Sequence, residues 1–240
     1  MSDTLRTSIL AAGIALAGLL AGAGVERSRT GDRFVTVKGV AEQEVRADVA
    51  IWPLQVTGAD NDLATASRKL AQSVEGVRRF LGRHGLDTTQ VEFTGFTVND
   101  AQANPYGGEQ RTSNRFVVRQ TLLVRSDKPD LVLSASQQIS ELAAAGVVIS
   151  SGGEFGPGGP TFVFTGLNDI KPKMIADATE RAREAAEQFA RDSRSTLGGI
   201  RRANQGVFEI LARDQAPGVN ADGQIAKIVR VVATVEYTLR

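Results

Sequence analysis

The chain has 240 residues, 42 % apolar and 23 % charged, the composition of an ordinary folded protein rather than a disordered one. Its 28 basic and 27 acidic side chains leave a formal net charge of +1, so no global field favours nucleic acid, an anionic membrane surface or an acidic substrate. Cysteine is absent and His84 is the single histidine, which excludes disulfide frameworks, thiolate and His-rich metal sites, iron–sulfur clusters and thiol nucleophiles.

After Arg6, residues 9–25 (ILAAGIALAGLLAGAGV) carry no charge. As a helix they would extend about 25 Å, close to the lower limit for crossing a hydrocarbon core. Two readings fit. A signal peptide would use the short basic start at Arg6, the apolar middle and the small residues Ala21, Gly22 and Ala23 as a cleavage region. A retained transmembrane anchor would use Gly18 and Gly22, whose four-residue spacing lets membrane helices approach closely. Either way the bulk of the chain is expected outside the cytoplasm. Residues 1–27 form this leader and 28–33 a polar linker.

From residue 34 the pattern alternates. Val35, Val37 and Val45 mark a first strand, and Val49, Ile51, Leu54 and Val56 a second, in which Pro53 marks an edge or a bulge because it cannot donate to a ladder. Residues 62–83 read as an amphipathic helix capped by Asp60 or Asn61, with Leu63, Ala66, Leu70, Val74, Val77 and Leu81 on one face. A strand at 91–98, a loop around Pro105 and a long strand at 115–125 follow. Asp127 and Pro129 open a second helix with the stripe Leu131, Ala135, Ile139 and Leu142.

The Gly/Pro-dense stretch 150–160 reads as an exposed loop. A phosphate cradle would open directly into a helix, whereas a strand at 161–165 comes next. From Asn168 a long helix places Met174, Ala178, Ala182, Ala185, Phe189 and Leu197 on one face and a charged run on the other, including the Glu187–Arg191 pair. Strands at 203–212 and 225–240 complete the chain, and the unbroken alternation of the last one suits a central position in a sheet. The order predicts an α+β domain over 34–240: a mostly antiparallel sheet with two or three packed amphipathic helices, compatible with a duplicated strand–helix unit over 34–98 and 115–199.

Three segments together resemble the SIMPL domain family (domain of unknown function 541, YggE-like). They are VTVKGVAEQEVRADVAIWPLQV at 35–56, RFVVRQTLLVRSDKPDLVLSASQQISEL at 115–142, and FVFTGLNDIKPKMIADATERAREAAEQFA at 162–190 followed by LGGIRRANQGVFEI at 197–210. Ala47 departs from the pattern, in which a proline commonly precedes Asp48. The resemblance implies an exported or envelope-anchored bacterial protein that self-assembles into rings or cage-like oligomers and is linked to oxidative or envelope stress. It offers no agreed catalytic residues.

The leading expectation is therefore a non-enzymatic, self-assembling envelope protein, with its own copies and the membrane as partners, no nucleic acid, no known small-molecule substrate, and no cofactor or metal. A peptide- or lipid-binding module is the alternative, with Tyr106 and Phe155, aromatics set among glycines, as lips of a groove. A carboxylate-dependent hydrolase is a further rival. It would draw on Asp48, Asp100, Glu109, Asp169 and Asp177 or on His84, yet no nucleophile elbow accompanies them. His84 ends a helix, where a cation suits the dipole. The pairs Arg78-Arg79 and Arg201-Arg202 read as surface charge.

Overall fold

A computed structural model describes residues 13, 17–18, 33–103, 114–150, 152–153, 156–157, 159–218 and 220–240. The elements are β1 (Phe34–Arg46), β2 (Val49–Asp60), α1 (Leu63–Arg83), β3 (Val91–Asp100), β4 (Phe116–Ser126), α2 (Pro129–Gln137), α3 (Ser140–Ala144), β5 (Ile149–Ser150), β6 (Gly152–Gly153), β7 (Gly156–Pro157), β8 (Thr161–Val163), α4 (Leu167–Asp192), β9 (Leu197–Gln205), β10 (Glu209–Ala212) and β11 (Ala226–Leu239). The class is α+β with antiparallel pairing. The single expected sheet is instead two larger sheets and a two-residue ladder between β6 and β7. Two apolar cores result, because each long helix covers strands of its own.

The described residues form two compact units. One takes the described residues up to Gln43 with those of Ile170–Glu209 and Arg230–Arg240; the other takes the described residues of Glu44–Asp169 and Ile210–Val229. The stretches 34–98 and 115–199 do not map one to each unit.

In the second unit the sheet order is β3-β4-β2-β5, with β8 also on β2. β2 and β4 pair antiparallel from Ala50↔Ser126 to Asp60↔Phe116. Alternation puts Trp52, Leu54, Val56, Val118, Leu122 and Val124 on one face, where they pack with Ala66, Val77, Phe80 and Leu81 of α1. Trp52 and Phe80 meet edge to face, 6.5 Å between centroids. Gly58 is what lets the helix down: a β-carbon there would fall 2.6 Å from Leu70 N and closer still to Ala66 O.

Several expectations need correction here. The cap of α1 is Asp62, whose carboxylate accepts from Thr65 N and Oγ1, both at 2.8 Å. Asp60 accepts from Lys69 Nζ and, one residue short of the helix, from Asp62 N, while Asn61 accepts from Arg115 N. Pro53 sits in an inner strand, but in the gap between β8, which pairs with 49–51, and β5, which pairs with 55–56. No ladder there requires its missing N–H. The expected helix from Asp127 is two short helices, α2 with Lys128 at its N-cap and α3, separated at Gln138 and Ile139. With Pro129 fixing the first turn, Val132 and Ala135 turn inward while Leu131 remains exposed. Ala47 N donates to Ile225 O at 2.8 Å, a bond that a proline could not make.

In the first unit β11 lies between β1 and β9, central as expected. Its residues Val231, Ala233, Val235, Tyr237 and Leu239 are buried in alternation. The buried stripe of α4 is Met174, Ala178, Ala182, Ala186 and Ala190, so Ala185 and Phe189 point outward, contrary to expectation. The strict four-residue repeat of alanine, rather than the bulkier Phe189, allows close approach. Gly39 of β1 sits against it, where a β-carbon would fall 2.5 Å from Ala182 N and clash with Ala178 O. The expected strand 203–212 is broken between β9 and β10 at Gly206, whose N–H bonds Val232 O at 2.8 Å.

Among the described residues no helix is long and apolar enough to cross a membrane. Of the apolar stretch 9–25 only Gly13, Ala17 and Gly18 are described, all helical; Gly22 lies outside the described residues.

These glycine contacts give a pair of opposite expectations. Gly58→Ala forces a methyl into helix backbone and should cost about 3 kcal/mol. Gly82→Ala, in α1 with nothing within 4 Å of the new carbon, should stabilise by about 0.5–1 kcal/mol. Urea denaturation of both variants checks the sign of each.

Candidate functional site

The feature that stands out chemically is β3. It is the end strand of the second unit's sheet and pairs only with β4 among the described residues. Only Val91 in it is buried; Phe93 is 42 % exposed, Phe96 59 % and Val98 48 %. The register shifts between Thr94 and Thr97, where Gly95 adopts φ +62°, a bulge that splits the free edge into two runs. Its only ionisable side chains are Glu92 and Asp100. Asp100 is neutralised by Arg115, which donates to both carboxylate oxygens at 3.1 and 3.0 Å and holds the carboxyl below its ordinary range. Phe93 lies beneath the Arg78 guanidinium, 5.0 Å from its centroid. Natural edge strands are blunted by charge, proline or bulges; β3 has no lysine or proline and relies on the bulge at Gly95.

The first unit has an apolar surface of its own. Nearly all of β9 is exposed, with Ile200 52 % and the following Val207 78 % accessible. Arg201 and Arg202 lie on this strand, and Arg201 stacks over the exposed Phe34 at 4.6 Å.

The carboxylates and histidine weighed for catalysis are dispersed into structural roles. Burial tends to raise the Asp48 carboxyl, but hydrogen bonds from Thr165 Oγ1 and Thr165 N, at 2.8 and 2.9 Å, outweigh it and hold the pKa below 3.8. Asp169 sits in the first turn of α4 and Asp177 further along it. Among the described residues no three His, Asp or Glu side chains gather into a metal-binding cluster. His84 closes α1, its backbone N–H bonding Phe80 O and Leu81 O. Its ring packs on Phe80 at 4.5 Å, and Nε2 lies 3.6 Å from Glu141 Oε2. Lys227 is buried on β11, where desolvation lowers its pKa against the pull of Asp222, and its Nζ donates to Ala221 O. Tyr106, Glu109 and Phe155 lie outside the described residues.

Against known proteins, the SIMPL family, described as a protein of unknown function (DUF541), matches residues 35–237. The chain belongs to the SIMPL family. No curated protein matches the chain. Two solved structures from Listeria innocua are similar to it: an uncharacterized conserved protein at 14 % identity, covering 80 % of this chain and 91 % of that one with a TM-score of 0.22, and a hydrolase at 12 % identity, covering 80 % and 90 % with a TM-score of 0.23. At such scores neither likeness bears on the fold or activity of this SIMPL protein.

The Asp48 clip has a pH signature. Because its folded pKa is depressed, its contribution is present above 3.8 and lost as pH falls through the folded value. Asp48→Ala should therefore be less stable than wild type by about 1 kcal/mol at neutral pH, a value discounted for partial exposure. The gap should close in strong acid. Thermal melts across that range check it; a constant gap would contradict the clip.

Proposed function

We propose that this SIMPL protein is a non-enzymatic, self-assembling envelope protein whose subunits associate through β3. The observation that carries the reading is the weakly charged edge of β3, which pairs with no strand but β4 among the described residues and carries the exposed Phe93, Phe96 and Val98. Backbone groups along a strand edge are satisfied by another strand, and apolar side chains at alternate positions add specificity. A second copy of the same edge meets both needs without opposing net charge. An assembly larger than a dimer, a ring or cage, needs a further surface per subunit, and the exposed Ile200 and Val207 supply one.

The same reading gives residues 9–25 the task of export and of anchoring in the inner membrane, with the folded residues in the periplasm. A part in oxidative or envelope stress defence rests on the family resemblance. The partners are further copies of the chain and the membrane, not nucleic acid.

Size exclusion with light scattering on full-length protein, extracted in mild detergent, tests this. Wild type should run as one defined oligomer. Phe96→Lys combined with Val98→Lys, which places charge on an edge without touching the core, should shift it to smaller species with an unchanged urea midpoint. A monomeric wild type, or an oligomer indifferent to both lysines, overturns the proposal.

A further inference from the structure

A groove of about 670 Å³ runs along α1 in the second unit. One wall is the helical stripe Lys69, Ser73, Gly76 and Arg79, spaced so that it shares a face over about 15 Å of helix. The opposite wall is the end of β2 at Gly58 and Ala59 together with Val147 and Val148. Thr57 N donates to Val148 O at 3.1 Å, which fixes that wall to the strand. At Gly76 the two walls meet, since a β-carbon there would approach Val147 Cγ2 to 2.8 Å.

The chemistry of the lining is one-sided. None of the described residues that line it is Asp or Glu, while Lys69, Arg79, Gln72, Asn114, Ser73 and Thr57 all carry donors. Lys69 is already engaged, its Nζ 2.8 Å from Asp60 Oδ2 and 3.2 Å from Ala59 O. Arg79 is different. Its guanidinium has no carboxylate partner among the described residues, whereas the adjacent Arg78 is stacked on Phe93 outside the groove. A guanidinium with no carboxylate partner among the described residues, in a concave lining whose described residues include amide and hydroxyl donors but no acid, matches the geometry of an oxyanion, which it can hold by two parallel hydrogen bonds.

We propose that this groove binds a short ligand bearing a carboxylate or phosphate, with Arg79 holding the oxyanion and the apolar remainder lying against Val147 and Val148. The site is independent of the β3 edge and of assembly.

The test is calorimetric titration of the full-length protein in detergent with three probes: inorganic phosphate, N-acetyl-trialanine with a free carboxylate, and the same peptide as its carboxamide. Saturable binding of phosphate alone assigns a phosphoryl ligand, and binding of the free-acid peptide alone a carboxylate ligand; binding of both supports the shared oxyanion site. The carboxamide should not bind. Arg79→Gln should weaken anion binding about tenfold, and Arg68→Gln, on the same helix but outside the lining, should leave it unchanged. Added salt should weaken wild-type binding, a readout that does not depend on any variant folding. Failure of both anions to bind, equal binding of carboxamide and carboxylate, or affinity indifferent to salt or to Arg79→Gln overturns the proposal.

Discussion

Close approach of helix backbone to strand backbone is the constraint on which both units depend. At Gly58 and at Gly39 the strand presents no β-carbon, and the helix that crosses it offers Ala66 and Leu70 in one case and Ala178 and Ala182 in the other. Larger residues at those crossings would lift each helix off its sheet and open the apolar clusters beneath. Packing contacts of this kind lose their dispersion energy steeply with separation. Trp52 and Phe80 fill the wider part of the second unit's core, where no such approach is required.

The same arrangement decides which surface is left over. α1 is drawn towards β2 by Gly58, and β4 lies beside β2 with its alternate residues buried against the same core. β3 is one strand further out, so only Val91 reaches that core while Phe93, Phe96 and Val98 stay accessible. The bulge at Gly95 weakens its pairing further without adding charge. An edge with exposed aromatic residues and no lysine is a surface that another strand can satisfy. That physical residue of the fold, rather than any arrangement of acids and bases, underlies the proposed assembly.

Much of this architecture was legible in the sequence, and the failures have identifiable causes. Alternation located β1, β2, β4 and β11 because each buries one face continuously, and the spacing of Leu70, Val77 and Leu81 located α1. The inward face of α4 follows the expected Met174, Ala178 and Ala182 and departs only at Ala185 and Phe189, because hydrophobicity favours Phe189 whereas close packing favours the smaller Ala186 and Ala190. The cap of α1 lies one or two residues beyond the expected Asp60 or Asn61 because the three are equivalent in propensity, and only their partners in the fold distinguish them. The composition of β3 suits an ordinary strand, and only the interruption of its alternation at Thr94 and Gly95 signals the bulge. The groove beside Arg79 was not legible, since its walls come from segments far apart in sequence.

Amide hydrogen exchange along β3, compared at low and high concentration of the full-length protein, tests the central claim most directly. If the edge is where subunits join, amides of β3 that point away from β4 should gain protection as the assembly forms, while those bonded to β4 stay as they are. Unchanged exchange along β3 in a protein that has assembled would contradict the account and place the contact elsewhere.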